Sequence, residues 1–232
     1  MALLKPQDTN SDKEMAFDFH FPTSKKALII FTKNPELGKV KTRLAQTVGD
    51  ESALKIYEFL LKHTMEITKD LNVDKYIFYS EEIHKNDIWD SEIFRKRLQC
   101  GNDLGERMSN AFTEIFNMGY QVAIIIGSDM FDLNKQDLGT AFAILNDHNI
   151  VVGPATDGGY YLLGMKEPKP QLFKNKNWGS HTILKETLED LKHENHILLP
   201  DRNDIDIYED IKDQAIFDQF LPSHLKKHHD SL

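Results

Sequence analysis

The amino-acid sequence predicts a single α/β domain built on a mixed, mostly parallel sheet with helices on both faces. Three observations carry that prediction. From Lys25 onward, strand-length apolar runs alternate with longer stretches of helical periodicity, a pattern that builds a sheet between helical layers. The first run, Ala27–Phe31, is unbroken, as expected of a buried parallel strand. The chain has 232 residues, 40% of them apolar. With no repeat and no clear linker, one large core is favoured over two small ones.

Residues 1–24 read as an extension and 25–225 as the domain. The extension is polar apart from Phe17, Phe19 and Phe21, whose alternation suits an added edge strand or a surface-docked arm. Strands are expected at Ala27–Phe31, Lys75–Tyr79, Val122–Ile126, Ile150–Val152, Tyr160–Gly164 and His196–Leu199. Helical periodicity lies between them at Glu51–Lys69, Leu104–Asn117, Lys135–Asn146 and Thr182–Lys192, with a last helix from Ile207 to about Phe220. Asp103 is placed to cap the helix at Leu104, with Glu106 as its capping-box partner. Asn134 caps the next, with Asp137 in its first turn. The tail, Lys226–Leu232 with His228 and His229, reads as a frayed end.

Composition excludes several classes. The formal net charge is −9, which argues against a generic nucleic-acid binder, because such proteins present a basic face. The single cysteine, Cys100, rules out an internal disulfide framework and a cysteine-based zinc cluster. No apolar run approaches the ~20 residues of a membrane span. Gln7–Glu14 is polar and charged, unlike a secretory signal, so a cytoplasmic location is expected.

Against this acidic background the loop after the first strand is cationic. Ala27–Leu44 reads ALIIFTKNPELGKVKTRL, with Lys39, Lys41 and Arg43 at alternate positions beyond Pro35 and Gly38. Open α/β sheets bind ligands at the C-terminal ends of their strands, and Lys and Arg there suit phosphate. The competing reading is a solvated basic loop. A Walker A loop is excluded, since Lys33 stands where its first Gly belongs and Val40 where Ser or Thr belongs. The dinucleotide fingerprint GxGxxG is also absent.

Three acidic segments follow. In IIIGSDMFDL (Ile124–Leu133) a buried strand runs into Asp129 and then Asp132. A carboxylate at such a strand end needs water, a hydrogen bond or a cation, and Mg²⁺ or Mn²⁺ takes one or two carboxylates plus substrate phosphates. Asp129 as a turn cap is the alternative; Asp132 caps or is solvated. In VVGPATDGGYYLLGM (Val151–Met165), Asp157-Gly158-Gly159 is either a plain hairpin turn or a loop that approaches a small ligand. Tyr160 and Tyr161 read as strand packing. In NDIDIYED (Asn203–Asp210) four carboxylates crowd together. Asp206 there is either an N-cap with Glu209 as partner or a second metal ligand that meets Asp129. Cys100 reads as structural, and His181 as the start of a helix rather than a ligand.

Taken in order, NPELGKVKTRL, QCGNDLGERM, GSDMFDL, GPATDGGYYLLG, NWGS and NDIDIYED resemble a family of bacterial glycosyltransferase-like proteins. That family has the nucleotide-diphospho-sugar transferase (GT-A-like) fold, and some members are assigned to arsenosugar biosynthesis. It is similar to molybdenum-cofactor nucleotidyltransferases and phospholactate guanylyltransferases. The resemblance implies that Lys39, Lys41 and Arg43 face the donor phosphates, and that Gln99 and Gly105 contact the base. It implies that Asp129 holds the metal with Asp206 as second carboxylate, and that Asp157, Gly158 and Gly159 lie near the sugar or acceptor. The sequence departs from the family pattern at Met130-Phe131, Cys100 and Gly179-Ser180-His181.

The expected function is metal-dependent transfer, with Mg²⁺ or Mn²⁺, from a nucleoside-diphosphate sugar to a small-molecule acceptor. Asp129, Lys41 and Asp157 would be catalytic, Asp157 as the acceptor-side base. Two alternatives stand beside it: nucleotidyl transfer from an NTP to a phosphorylated small molecule, and a non-catalytic nucleotide-binding protein. No nucleic acid and no membrane is expected as partner.

Overall fold

The computed structural model describes residues 21–226. Seven strands form one sheet in the order β3-β2-β1-β4-β6-β5-β7. They are β1 (Lys26–Thr32), β2 (Asp74–Tyr79), β3 (Phe94–Leu98), β4 (Val122–Gly127), β5 (Ile150–Pro154), β6 (Tyr160–Met165) and β7 (His196–Leu198). Every pairing is parallel except the two made by β6. The helices are α1 (Thr42–Val48), α2 (Asp50–Lys69), α3 (Leu104–Asn117), α4 (Lys135–Ile144) and α5 (Ile183–Asp190).

Strand side chains alternate between two buried layers. Leu28, Ile30, Ile124 and Ile126 pack with Tyr57 and Leu61 of α2 and Leu138 and Phe142 of α4. Ala27, Ile29, Ala123 and Ile125 pack on the other face with Met108, Phe112 and Ile115 of α3. Burial on both faces explains why these strands read as continuous apolar runs. A third cluster joins α1 and α2 to Ile205, Ile211, Phe217 and Leu221. It clamps the C-terminal segment across the start of the chain's first helices, which matters for the site.

All six expected strands form, within two residues at their ends. The helix over Leu104–Asn117 has the expected bounds, and α2, α4 and α5 fall within their expected spans to within one or two residues. Two elements went unread. β3 has the sequence FRKRL; three cations on a sheet edge conceal the pattern, and edge strands commonly carry such charge. α1 lies inside the stretch read as a basic loop.

The expected last helix is a correction. Residues 207–220 form separate short turns of 3₁₀ helix, Tyr208–Asp210 and Ala215–Phe220. Asp210 accepts from the backbone N–H of Asp206 at 2.9 Å and of Ile207 at 2.8 Å, and Gln214 donates back to the Asp210 carbonyl. Such local side-chain bonds compete with a continuous helix. Asp210, not Asp206 with Glu209, therefore does the capping. At α3, Asp103 caps as expected by accepting from the Glu106 N–H at 2.8 Å, but the Glu106 carboxylate accepts from Asn102 rather than from Asp103. Asn134 and Asp137 form the full capping box on α4. Phe17, Phe19 and the tail histidines lie outside the described residues. Phe21 is 74% exposed and in no strand.

Candidate active site

β1 is flanked by β2 on one side and β4 on the other, so the chain's connections diverge at the β1/β4 boundary. Such a switch point opens a crevice beyond the strand ends, and the loops after β1 and β4 meet there. Lys41 ends the β1 loop in the left-handed region, at φ 47°, and stands at the N-cap of α1 without capping it. A non-glycine residue held there costs about 1–2 kcal/mol. The conformation sends its side chain inward, where Nζ lies 2.8 Å from Asp129 Oδ2 with only 6% of the side chain exposed. Burial pulls the ammonium's pKa down. Asp129, with Asp204 and Asp206 behind it, outweighs burial and holds it above the usual lysine range.

Arg43, in the first turn of α1, forms an ion pair with Asp206. Lys39 does not join them: it pairs with Glu36 at 2.7 Å and reaches toward Glu81 at 3.6 Å. The alternating positions therefore split, with Lys41 and Arg43 toward the acidic loop and Lys39 toward solvent.

Asp204 was not singled out from its neighbours in the sequence, yet it sits deeper in the electrostatics of the site than Asp206. Arg202 pairs with β5 through an N–H to the Pro154 carbonyl, and Ile205 N–H reaches the Asp129 carbonyl. These bonds stretch residues 202–205 from the β5–β6 turn to the end of β4. Burial first, then the charges of Asp129 and Asp157, push the Asp204 carboxyl up to about 6, with Lys41 pulling the other way. Asp129, Asp157 and Asp204 line one cavity, and Lys41 reaches that group through Asp129. Asp129 and Asp204 are hard oxygen donors of the kind Mg²⁺ and Mn²⁺ take, with phosphate oxygens and water completing the shell. Among the described residues, no three His, Cys, Asp or Glu side chains are arranged as a full metal cage.

A cavity of about 200 Å³ opens beside Asp129 and is also lined by Asp157, Asp204, Tyr160, Trp178 and Met108. Asp157 accepts from the Gly159 N–H at 2.8 Å. It thus makes the turn that its sequence suggested, and it also lines the cavity. Gly158, at φ 91°, is a close-approach glycine: a Cβ there would come within 2.1 Å of the His181 carbonyl oxygen. Its role is to dock the start of α5 onto the turn, whereas Gly159 faces the cavity. Tyr160 and Tyr161, expected only to pack, both line it.

The two residues expected at a base have other neighbours. Gln99 Nε2 donates to the Phe78 carbonyl at 2.9 Å and the Thr32 carbonyl at 3.2 Å. Both amide protons are thus spent stapling β1 to β2. Gly105 is covered by the Trp178 indole, whose Nε1 would lie 2.1 Å from an added Cβ. Cys100 is exposed rather than structural, and Asp132 pairs with Arg202 at 3.3 Å. Behind the site, Tyr57 Oη bonds Thr32, the Lys33 backbone and Ser128. It ties the ends of β1 and β4 together beneath Lys41 and Asp129. Trp178 was visible only as part of NWGS, and nothing local announced the Tyr57 network.

The model of the family described as "Uncharacterized protein conserved in bacteria (DUF2064)" matches residues 63–180, just over half of the chain. A candidate nucleotide-diphospho-sugar transferase from Desulfovibrio desulfuricans G20 is 31% identical, with a TM-score of 0.73 over 80% of this chain and 84% of that one. A cytidylyltransferase from Leptospira borgpetersenii is 15% identical, with a TM-score of 0.51 over 86% of each chain. The 4-diphosphocytidyl-2C-methyl-D-erythritol synthase of Anaerococcus prevotii is 7% identical, with a TM-score of 0.50 over 80% of this chain and 93% of that one. The last two share the fold. No curated protein matches. The fold is that of the nucleotide-diphospho-sugar transferases, and among the described residues no helix is long and apolar enough to cross a membrane.

Proposed function

The chain belongs to the DUF2064 family, and from that premise we propose that it is a transferase acting on a nucleotide-activated donor, transferring a glycosyl group from a nucleoside-diphosphate sugar to a small acceptor. One observation carries the reading. A buried cation, Lys41, contacts Asp129 at 2.8 Å at the switch point of the sheet, next to a cavity for a second molecule. Lys41 and Arg43 bind the donor diphosphate by charge-assisted hydrogen bonds, exchanging their carboxylate partners for phosphate oxygens. Asp129 and Asp204 would hold Mg²⁺ or Mn²⁺, and the ion would supply further positive charge to the diphosphate. Asp204 is taken here in place of Asp206, the second carboxylate expected from sequence, because it lines the same cavity as Asp129. Asp157, oriented by the Gly159 N–H, takes the acceptor proton.

The proximity of two carboxylates also suits nucleotidyl transfer, which releases pyrophosphate from an NTP. The test is a thermal-shift screen of nucleotide sugars and NTPs with Mn²⁺, followed by calorimetry on wild type and Asp129→Asn. A ligand at 100-fold its Kd adds about 2.7 kcal/mol to native stability. Loss of Mn²⁺-dependent binding in Asp129→Asn is expected; unchanged affinity removes Asp129 from the metal site. Pyrophosphate release with NTP selects the second reading, and binding without turnover selects a non-catalytic protein.

A further inference from the structure

Asp129 already faces a cation of the chain's own. Lys41 Nζ lies 2.8 Å from its Oδ2, and the Lys41 side chain is 6% exposed. The other oxygen, Oδ1, is turned back over Gly127, where an added Cβ would come within 2.8 Å of it. The neighbouring cationic pair differs. Arg43 meets Asp206 with 68% of its side chain exposed, and an ion pair that open to water contributes little. Lys41 is therefore the cation that balances Asp129.

The pair is placed to exchange partners. The backbone on either side of Lys41 is anchored, because Val40 is buried in one core cluster and Leu44 in another. A change of partner thus falls to the side chain, a compact charge on a flexible four-carbon stem. Either ligand alone carries a cost. A divalent cation on Oδ2 would displace the ammonium from the one carboxylate bonded to it among the described residues, and an uncompensated buried charge is strongly destabilising. A diphosphate alone would draw Lys41 off and leave Asp129 uncompensated on the same cavity wall as Asp204. When both bind, each supplies the partner that the other removes.

We propose that Lys41 is a built-in counter-ion that excludes a divalent cation from Asp129 until a nucleoside diphosphate draws its ammonium away, so that cation and diphosphate bind as a coupled pair. The inference rests on the donor reading above, which supplies the diphosphate. It goes beyond that reading in making Lys41 a gate on the cation as well as a phosphate ligand. The coupling is reciprocal: the factor by which the diphosphate tightens the cation equals the factor by which the cation tightens the diphosphate.

The experiment measures Mn²⁺ binding by electron paramagnetic resonance of the free ion and by calorimetry. The protein is titrated alone and with UDP, CDP or GDP, with correction for Mn²⁺ held by free nucleotide. Wild type is compared with Lys41→Met and Lys41→Gln, which remove the charge, and with Lys41→Arg, which keeps it; melting temperatures check that each is folded. Mn²⁺ alone should bind the uncharged variants about tenfold or more tightly than wild type, and Lys41→Arg should stay close to wild type. At least one diphosphate should tighten Mn²⁺ on wild type by about tenfold or more. In the uncharged variants that factor should shrink by the amount that Mn²⁺ alone has gained. A lysine that only contacts phosphate would weaken the diphosphate on replacement and leave Mn²⁺ alone unchanged. Unchanged or weaker binding of Mn²⁺ alone in the uncharged variants, an undiminished factor there, or a diphosphate that binds wild type without tightening Mn²⁺ overturns the proposal and spares the donor reading. Failure of the donor reading looks different: none of these diphosphates binds wild type, with or without Mn²⁺, and the proposal then falls with it.

Discussion

Replacing Lys41 with Met keeps most of its aliphatic bulk and removes its charge, which leaves Asp129 facing Asp204. Breaking a fully buried ion pair costs about 3–5 kcal/mol. The Asp129 side chain is 35% exposed, so water screens part of this, and a loss of about 2 kcal/mol is expected at neutral pH. The loss should depend on pH, and its sign follows from Asp204. Its folded pKa, about 6, is above its ordinary value of 3.8. The stability tied to its proton is therefore fully present below about pH 4 and is lost as pH rises through 6. Lys41 lowers that pKa in the wild type, so Lys41→Met raises it further and widens the window of loss. Each further unit is worth about 1.4 kcal/mol. Lys41 itself titrates above its ordinary 10.5 and stays charged throughout this range. Urea denaturation at pH 5 and pH 8 measures the effect. The variant should lose more stability at pH 8, where both carboxylates are ionised, than at pH 5, where Asp204 keeps its proton. An equal loss at the two pH values, or a larger one at pH 5, would refute the electrostatic account of the cluster.

Arg43→Ala should weaken nucleoside diphosphates by about 1.5–3 kcal/mol and nucleosides hardly at all; calorimetry showing equal losses for both would mean a folding effect. Asp210→Ala should cost about 1 kcal/mol of stability by removing the cap on Asp206 and Ile207 N–H, while Asp206→Asn should leave the metal-free melting temperature near wild type. The reverse order of melting temperatures would return the cap to Asp206. Gly105→Ala should cost about 1–3 kcal/mol by overpacking, because its Cβ would fall 2.1 Å from Trp178 Nε1. Displacement of the indole should shift tryptophan emission, and an unchanged spectrum would mean the contact is slack.

The sequence alone determined the architecture, because the signal for each central strand is local. Ala27–Phe31 and Val122–Ile126 are short runs apolar on both faces, as suits strands covered by helices on both sides. The caps Asp103 and Asn134 were legible for the same reason, each bonding within three residues of itself. The cationic loop and Asp129 were legible as strand-end groups, and the fold brought Lys41 and Asp129 into contact across 88 residues. What only the tertiary structure decided is which member of each cluster enters the site. Lys39 and Lys41 differ by two positions and share a residue type, but the left-handed turn at Lys41 buries one and leaves the other among surface glutamates. Asp204 and Asp206 are likewise two apart. Pairing of residues 202–205 with the β5–β6 turn and β4 directs Asp204 toward Asp129, and α1 draws Asp206 to Arg43. Gly105 and Trp178 meet from separate elements. Periodicity reports how a residue sits in its own element; the partner across the site depends on backbone pairing between distant segments, which leaves no mark on the residues nearby in sequence.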